Sequence, residues 1–146
     1  MNDCDTHYWW PCKDGDADAR RLYRRHYSCH KYKDGRNPKK IVGPGEYMML
    51  ITKTADALFV WRKFIDKSGQ TGVNCAVFRN EGDLKSSGLI KEAVDLAHSR
   101  WPGERLYTYV NGKKIKSTNP GYCFLQAGWQ RAGKTKGGLT ILENVT

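Results

Sequence analysis

One long helical pattern set between two strand-like runs constrains the fold more than any other feature. From Leu84 to Ser99 the apolar residues Leu89, Ile90, Ala93, Val94 and Ala97 recur at helical spacing, and Trp101-Pro102-Gly103 ends the pattern. The flanking runs, Val73–Arg79 and Arg105–Asn111, have the length and the β-branched and aromatic content of strands. A helix that joins two neighbouring strands of one sheet carries the chain back to the starting end, so that pair runs parallel.

The rest of the chain fits around this unit. Tyr47–Thr52, Ala57–Phe64 and Val73–Arg79 read as strands joined by short turns at Lys53–Asp56 and Lys67–Thr71, which predicts an antiparallel meander. Asn119–Ala127 reads as a short helix. Trp129–Arg131 and Leu139–Leu142 read as a closing hairpin through the glycine-rich stretch AGKTKGG. Near the start, Gly15 to His30 reads as a helix, with Asp14 or Asp16 accepting from its free N–H groups and with Ala19, Leu22, Tyr23 and His26 on one face. The expected order is helix, three strands, helix, strand, helix, two strands. That is an α/β chain of α+β type with a mixed sheet. At 146 residues it is long enough for one core. A single domain over 1–146 is expected, with an N-terminal helix and basic loop over 1–44 and the sheet core over 45–146.

Charge points to the partner. Lys and Arg number 25 against 15 Asp and Glu, a formal net charge of +10, which favours a polyanion such as DNA. Lys31, Lys33, Arg36, Lys39 and Lys40 lie in a loop broken by Gly35, Pro38, Gly43 and Pro44, and Arg24 and Arg25 precede it. These cations suit contacts with a nucleic-acid backbone, since phosphates are neutralised without reading sequence. A plainly solvated loop is the competing reading. No apolar stretch is long enough to span a membrane, and the N-terminus has no charged start followed by an apolar run. An odd set of five irregularly spaced cysteines argues against a disulfide framework and for a cytoplasmic setting. Cys4, His7, Cys12, His26, Cys29 and His30 crowd one end, but their spacing fits no standard zinc module, and no metal site is assigned.

Gly128-Trp-Gln-Arg-Ala-Gly133-Lys134-Thr135 matches the P-loop pattern G-x-x-x-x-G-K-[ST]. A P-loop needs a helix leaving the glycine-rich turn, so that its N-terminus meets the phosphates. Here Gly137-Gly138 and the strand-like LTIL follow instead, so the match is rejected.

The blocks VNCAVFRNE, SSGLIKEAVDLAHSRWPG, RLYTYV and NPGYCFLQAGWQ, from Val73 to Glu143, resemble the second half of a GNAT-type N-acetyltransferase domain. Together with RRHYS, the shorter blocks FRNEG, SSGLI and NPGYCFLQAGW resemble a phage branch of that superfamily, the Mom-type DNA-modification proteins. That branch attaches a carbamoylmethyl group to adenine N6 and shields DNA from restriction. The resemblance implies an acetyl-CoA or other acyl donor whose pyrophosphate meets the N-terminus of the long helix. Gly82, Lys85, Ser86, Ser87 and Gly88 would form that anion site. The family motif Gln/Arg-x-x-Gly-x-Gly/Ala falls on Glu81, Leu84 and Ser86, a departure that sets a carboxylate and a leucine where ordinary acetyl-CoA binding has a polar or basic residue and a glycine. The position where many members carry a general-acid Tyr is Phe124 here, two residues after Tyr122. A setting in the bacterial host of a phage or prophage is also implied.

An adenine amine paired inside a duplex becomes reachable only if the base is flipped out and held by stacking and edge hydrogen bonds. Tyr27, Tyr109 and Tyr122 can stack, whereas Trp61 and Trp129 are read as core. Asn80 or Asn119 can pair with an adenine edge, and Ser28 lies beside Tyr27. His26 is a general base if it is not a helix C-cap, since an imidazole ordinarily titrates near working pH. Glu81 as base and Arg79 as phosphate or carboxylate clamp stand at the end of the central strand, with Tyr109, Asn119 and Tyr122 completing the catalytic set. Two other functions stay open: a conventional acetyl-CoA-dependent N-acetyltransferase on a small amine or protein, and a non-catalytic nucleic-acid-binding or host-inhibitor protein. The sequence leaves oligomeric state open, a homodimer included.

Overall fold

The computed structural model describes residues 7–24, 42, 45–64, 69–111 and 122–144. Within them, a seven-stranded mixed sheet is flanked by three helices. The elements are β1 (Trp9–Cys12), α1 (Ala17–Arg24), β2 (Glu46–Thr52), β3 (Ala57–Lys63), β4 (Val73–Asn80), α2 (Ser86–Arg100), β5 (Leu106–Val110), α3 (Tyr122–Gln126), β6 (Gln130–Lys134) and β7 (Thr140–Asn144). The sheet order is β1-β2-β3-β4-β5-β7-β6, and β4 with β5 is the parallel pair. The meander and the parallel crossover through α2 stand where the sequence places them; the closing hairpin forms as well, but β6 runs on to Lys134 through residues expected in its turn, and β7 starts at Thr140. No described helix is long and apolar enough to cross a membrane.

The alternation of strand residues builds two cores. Ala57, Phe59 and Trp61 face α2, whose Leu89, Ile90, Ala93, Val94 and Ala97 are all buried, as their helical spacing requires. Leu58 and Val60 face the other way, onto Ala19 and Leu22 of α1. Both faces of β3 are therefore dry, and its five leading residues are buried. Two indoles fasten α2 to the sheet. Trp9 Nε1 donates to the Leu89 carbonyl at 2.7 Å, and Trp61 Nε1 donates to the Ala93 carbonyl at 3.0 Å, one helical turn further on.

β1 is a strand the sequence does not announce. Pro11 removes a ladder donor, which an outer strand tolerates. Tertiary contacts hold it instead: the Glu92 carboxylate on α2 accepts from the backbone N–H of Tyr8 and of Trp9, at 2.9 Å and 2.7 Å. Between the two candidate caps of α1 the structure selects Asp16, whose Oδ1 accepts from the N–H of Asp18 and Ala19, both at 3.0 Å. Asp14 accepts from the Val42 N–H instead.

Candidate functional site

The site begins where β4 and β5 part. Their ladder holds only at Val73–Leu106, Asn74–Tyr107 and Cys75–Thr108, although β4 continues to Asn80 and β5 to Val110. At the last rung Thr108 Oγ1 donates to the Cys75 carbonyl at 2.9 Å, so a side chain takes that acceptor. A bulge follows at once, because Trp61 of β3 pairs with Cys75 and Val60 with Val77, leaving Ala76 as the extra residue. The bulge turns Phe78 onto the α2 side, where it meets Phe124 of α3 edge-on at 5.9 Å. Beyond the last rung the two strands share no further pairs, and α2 starts from the end of β4.

The link from β4 to α2 is tightly bonded. The Asn80 amide nitrogen donates to the Leu84 carbonyl at 2.7 Å and to Ser86 Oγ at 3.0 Å, and its oxygen accepts from the Gly82 N–H at 3.0 Å. Glu81 donates its N–H to the Asp56 carbonyl at 2.7 Å. Asp56 is itself held by Thr52, whose hydroxyl donates to its carboxylate at 2.7 Å. Gly82 lies flat against this carboxylate: a Cβ there would stand 2.2 Å from Asp56 Oδ2. Gly82→Ala is therefore expected to push Asp56 off Thr52 and to cost about 1–3 kcal/mol. Thermal unfolding checks this through a fall in midpoint of roughly 3–10 °C, and an unchanged midpoint would mean that the loop relaxes freely.

Lys85 precedes α2 in an extended conformation, no side chain caps the helix, and no acidic residue lies in its first turn. The first N–H groups of a helix lack intrahelical acceptors and carry the positive end of its dipole. The N-terminus of α2, with Ser86, Ser87 and Gly88 in its first turn, is thus suited to an anion. Ser87 is buried there, while Leu84 and Tyr122 stand exposed.

The structure gathers Arg79, Asn80, Glu81, Gly82, Lys85, Ser86, Ser87 and Gly88 into one segment. Arg79 and Glu81 form an ion pair, both half-buried. A clamp function for Arg79 or a base function for Glu81 has to compete with that pairing. Asn80 has both amide hydrogens and its oxygen engaged, so it organises the loop, and an adenine edge would have to displace those bonds. Tyr109 is the first β5 residue past the parting; it packs edge-on against Tyr107 at 5.7 Å. Tyr122 opens α3, half exposed, and its hydroxyl accepts from Gln126 Nε2 at 2.7 Å. Phe124 is buried between Phe78 and Trp129, and a phenyl ring has no proton to give. Trp61 and Trp129 are core residues stacked on one another at 6.2 Å. Arg24 ends α1. Arg25, His26, Tyr27, Ser28, Lys31, Lys33, Arg36, Lys39, Lys40 and Asn119 lie outside the described residues.

The described thiols are poor nucleophiles. Burial, helped by the charges of Asp16 and Asp14, pushes the Cys12 thiol up to about 12. Burial also raises Cys75 and Cys123. Of the crowded N-terminal ligand types only His7 and Cys12 are described. His7 lies edge-on to Trp10 and 3.5 Å from Glu92. Two open clefts lie away from the parting strands: one of about 440 Å³ beside Cys12 and Tyr47, another of about 420 Å³ beside Lys63 and Gly72. The rejected P-loop pattern runs from Gly128 through the buried Trp129 into the exposed strand β6, and the chain continues from its turn into β7.

Thr52, Asp56 and Thr108 support the site although no sequence motif marks them. The signal for Asn80 was present: Asn-x-Gly is a common Asx-turn pattern, in which the side chain accepts from the N–H two residues on. Comparison with family models, with curated proteins and with solved structures finds no match for this chain.

Proposed function

We propose that this chain is a GNAT-type transferase that takes an acyl-derived group from an anionic donor and attaches it to adenine N6 in DNA, protecting that DNA from restriction. The observation that carries the donor half is the parting of β4 from β5 after Cys75–Thr108, with the uncapped N-terminus of α2 at the open end. A parted strand pair exposes backbone groups and leaves room for a slender chain, while the helix start favours a phosphate. The sheet order β1-β2-β3-β4-β5-β7-β6 supports a GNAT-type arrangement, as does the bulge on β4. The DNA half rests on the net charge of +10 and on the sequence resemblance.

In this reading the first turn of α2 holds the donor, Asn80 fixes that turn, and Tyr122 and Leu84 give the apolar rim that a flipped base requires. The test is expression in bacteria followed by digestion of cellular DNA to nucleosides and mass spectrometry. A new adenosine derivative, lost in Glu81→Ala, is the expected result, and its added mass names the transferred group. Unmodified DNA at good soluble expression would overturn the reading. The Arg79–Glu81 ion pair and the fully bonded Asn80 favour one second reading, a non-catalytic nucleic-acid-binding protein, which would bind DNA and leave it unmodified.

A further inference from the structure

We infer that the β6–β7 hairpin is a second contact surface for the nucleic-acid backbone, with Lys134 and Lys136 as its principal cations; this rests on the DNA reading above. β6 is an edge strand, and all five of its residues are exposed, so no described element covers it. The bulge between Arg131 and Gly133 decides how its charges are aimed. Arg131 pairs with Leu142 and Lys134 with Thr140, and those two partners point to one side of β7. Without the extra residue the two cations, three positions apart, would face opposite sides of the sheet. With it they share a face.

The turn adds the third cation. Gly138 donates its N–H to the Thr135 carbonyl at 3.0 Å, Thr135 donates its N–H to Leu139 at 2.9 Å, and Gly138 has φ +89. This is a three-residue hairpin loop that needs a left-handed residue in its last position, and it leaves Lys136 exposed at the tip. From Gln130 to Leu142 the sequence holds no acid. The first acid after it, Glu143, is engaged by Arg105 at 2.7 Å and by Gln130 at 3.1 Å, and these bonds hold its carboxyl below the usual range. Lys134 and Lys136 therefore stand on a hairpin that carries no acid of its own before Glu143. Lys134 pairs with Thr140, which pairs with Val110 at the far end of β5. That is the end of the sheet from which β4 leads into α2, so a backbone lying on the hairpin passes the open end of the parted strands. The GKTK sequence that imitates a P-loop thus offers its lysines to a polymer's phosphates, on a strand edge and not at a helix start.

Edge strands also carry lysine simply to block pairing with another chain, and the experiment separates the two roles. Binding of the full-length protein to a short fluorescein-labelled duplex is followed by anisotropy over a salt series, for wild type, Lys134→Gln/Lys136→Gln, Lys134→Arg/Lys136→Arg and Lys91→Glu. The glutamine pair and Lys91→Glu, on the exposed side of α2, each take two units from the net charge of +10. The glutamine pair should bind about tenfold more weakly or worse near 0.1 M salt, with the slope of log K against log salt shallower by roughly 1.8. The arginine pair should match wild type, and Lys91→Glu should keep the slope. A glutamine pair with wild-type affinity and slope overturns the hairpin surface and leaves the DNA reading intact, and self-association of that pair at unchanged affinity does the same. A wild type that binds no duplex even at low salt overturns both.

Discussion

Trp61→Ala should destabilise the protein by about 3–5 kcal/mol, a large part of the roughly 5–15 kcal/mol that holds a domain of this kind together. The side chain is fully buried. It stacks on Trp129 at 6.2 Å and leans on Phe59 at 4.6 Å. Its indole N–H reaches the Ala93 carbonyl, so one residue joins the sheet, α2 and the segment leaving α3. Alanine leaves a void among bulky neighbours that are fixed by strand and helix and cannot close over it. Urea unfolding measures the loss: with a slope of about 1–3 kcal/mol per molar for a protein of this size, the midpoint should fall by roughly 2 M. Trp61→Phe separates packing from the hydrogen bond. It keeps most of the ring area and should cost about 1–2 kcal/mol. Equal losses for the two variants would show that the indole N–H, and not the ring, fastens α2.

What the sequence could and could not reveal divides along the range of the interactions. Strands β2 to β5 and helix α2 were legible because each is specified by its own pattern of apolar residues, and α2 buries the face that pattern names. β1 was not legible. Trp9–Cys12 is short and contains Pro11, and its anchors, Leu89 and Glu92, lie some 80 residues away. No local pattern records a partner so distant. The parting of β4 from β5 is likewise written in no local pattern, since it depends on Thr108 reaching across to Cys75 and on a bulge that no residue type dictates. The candidate site was legible as a segment, Arg79 to Gly88, but not in the division of labour within it. Amides pair with adenine, which suggests Asn80 as a base reader, whereas its amide is spent inside the loop. Phe124 was legible as the absence of an acid, because identity alone decides whether a side chain has a proton.

That division of labour makes the second large prediction concern Asn80, acting as a positioning residue. Asn80→Ala removes one acceptor and two donated bonds, which frees the Gly82 N–H, the Leu84 carbonyl and the Ser86 hydroxyl together. These groups border on solvent, so the fold should lose only about 1–2 kcal/mol. The effect on the proposed reaction should be far larger, because the same bonds fix the first turn of α2 against the end of β4. A donor phosphate needs several N–H groups converging on one point, and misplacement of such a group by an ångström can cost about a hundredfold in rate. At equal soluble protein, the modified nucleoside in cellular DNA should fall at least tenfold. Asn80→Asp sharpens the test. It keeps an acceptor for Gly82 but loses both donors, and it sets a negative charge beside the start of α2, where the charge of the proposed donor would lie. If the loop only had to be closed at Gly82, Asn80→Asp would retain activity that Asn80→Ala loses. If the Leu84 and Ser86 bonds and the local field matter, as the proposed donor site requires, both variants fail and aspartate is the worse, while their unfolding midpoints stay within a few degrees of wild type. Full modification by Asn80→Ala would separate the order of this loop from the chemistry and move the donor site away from the start of α2.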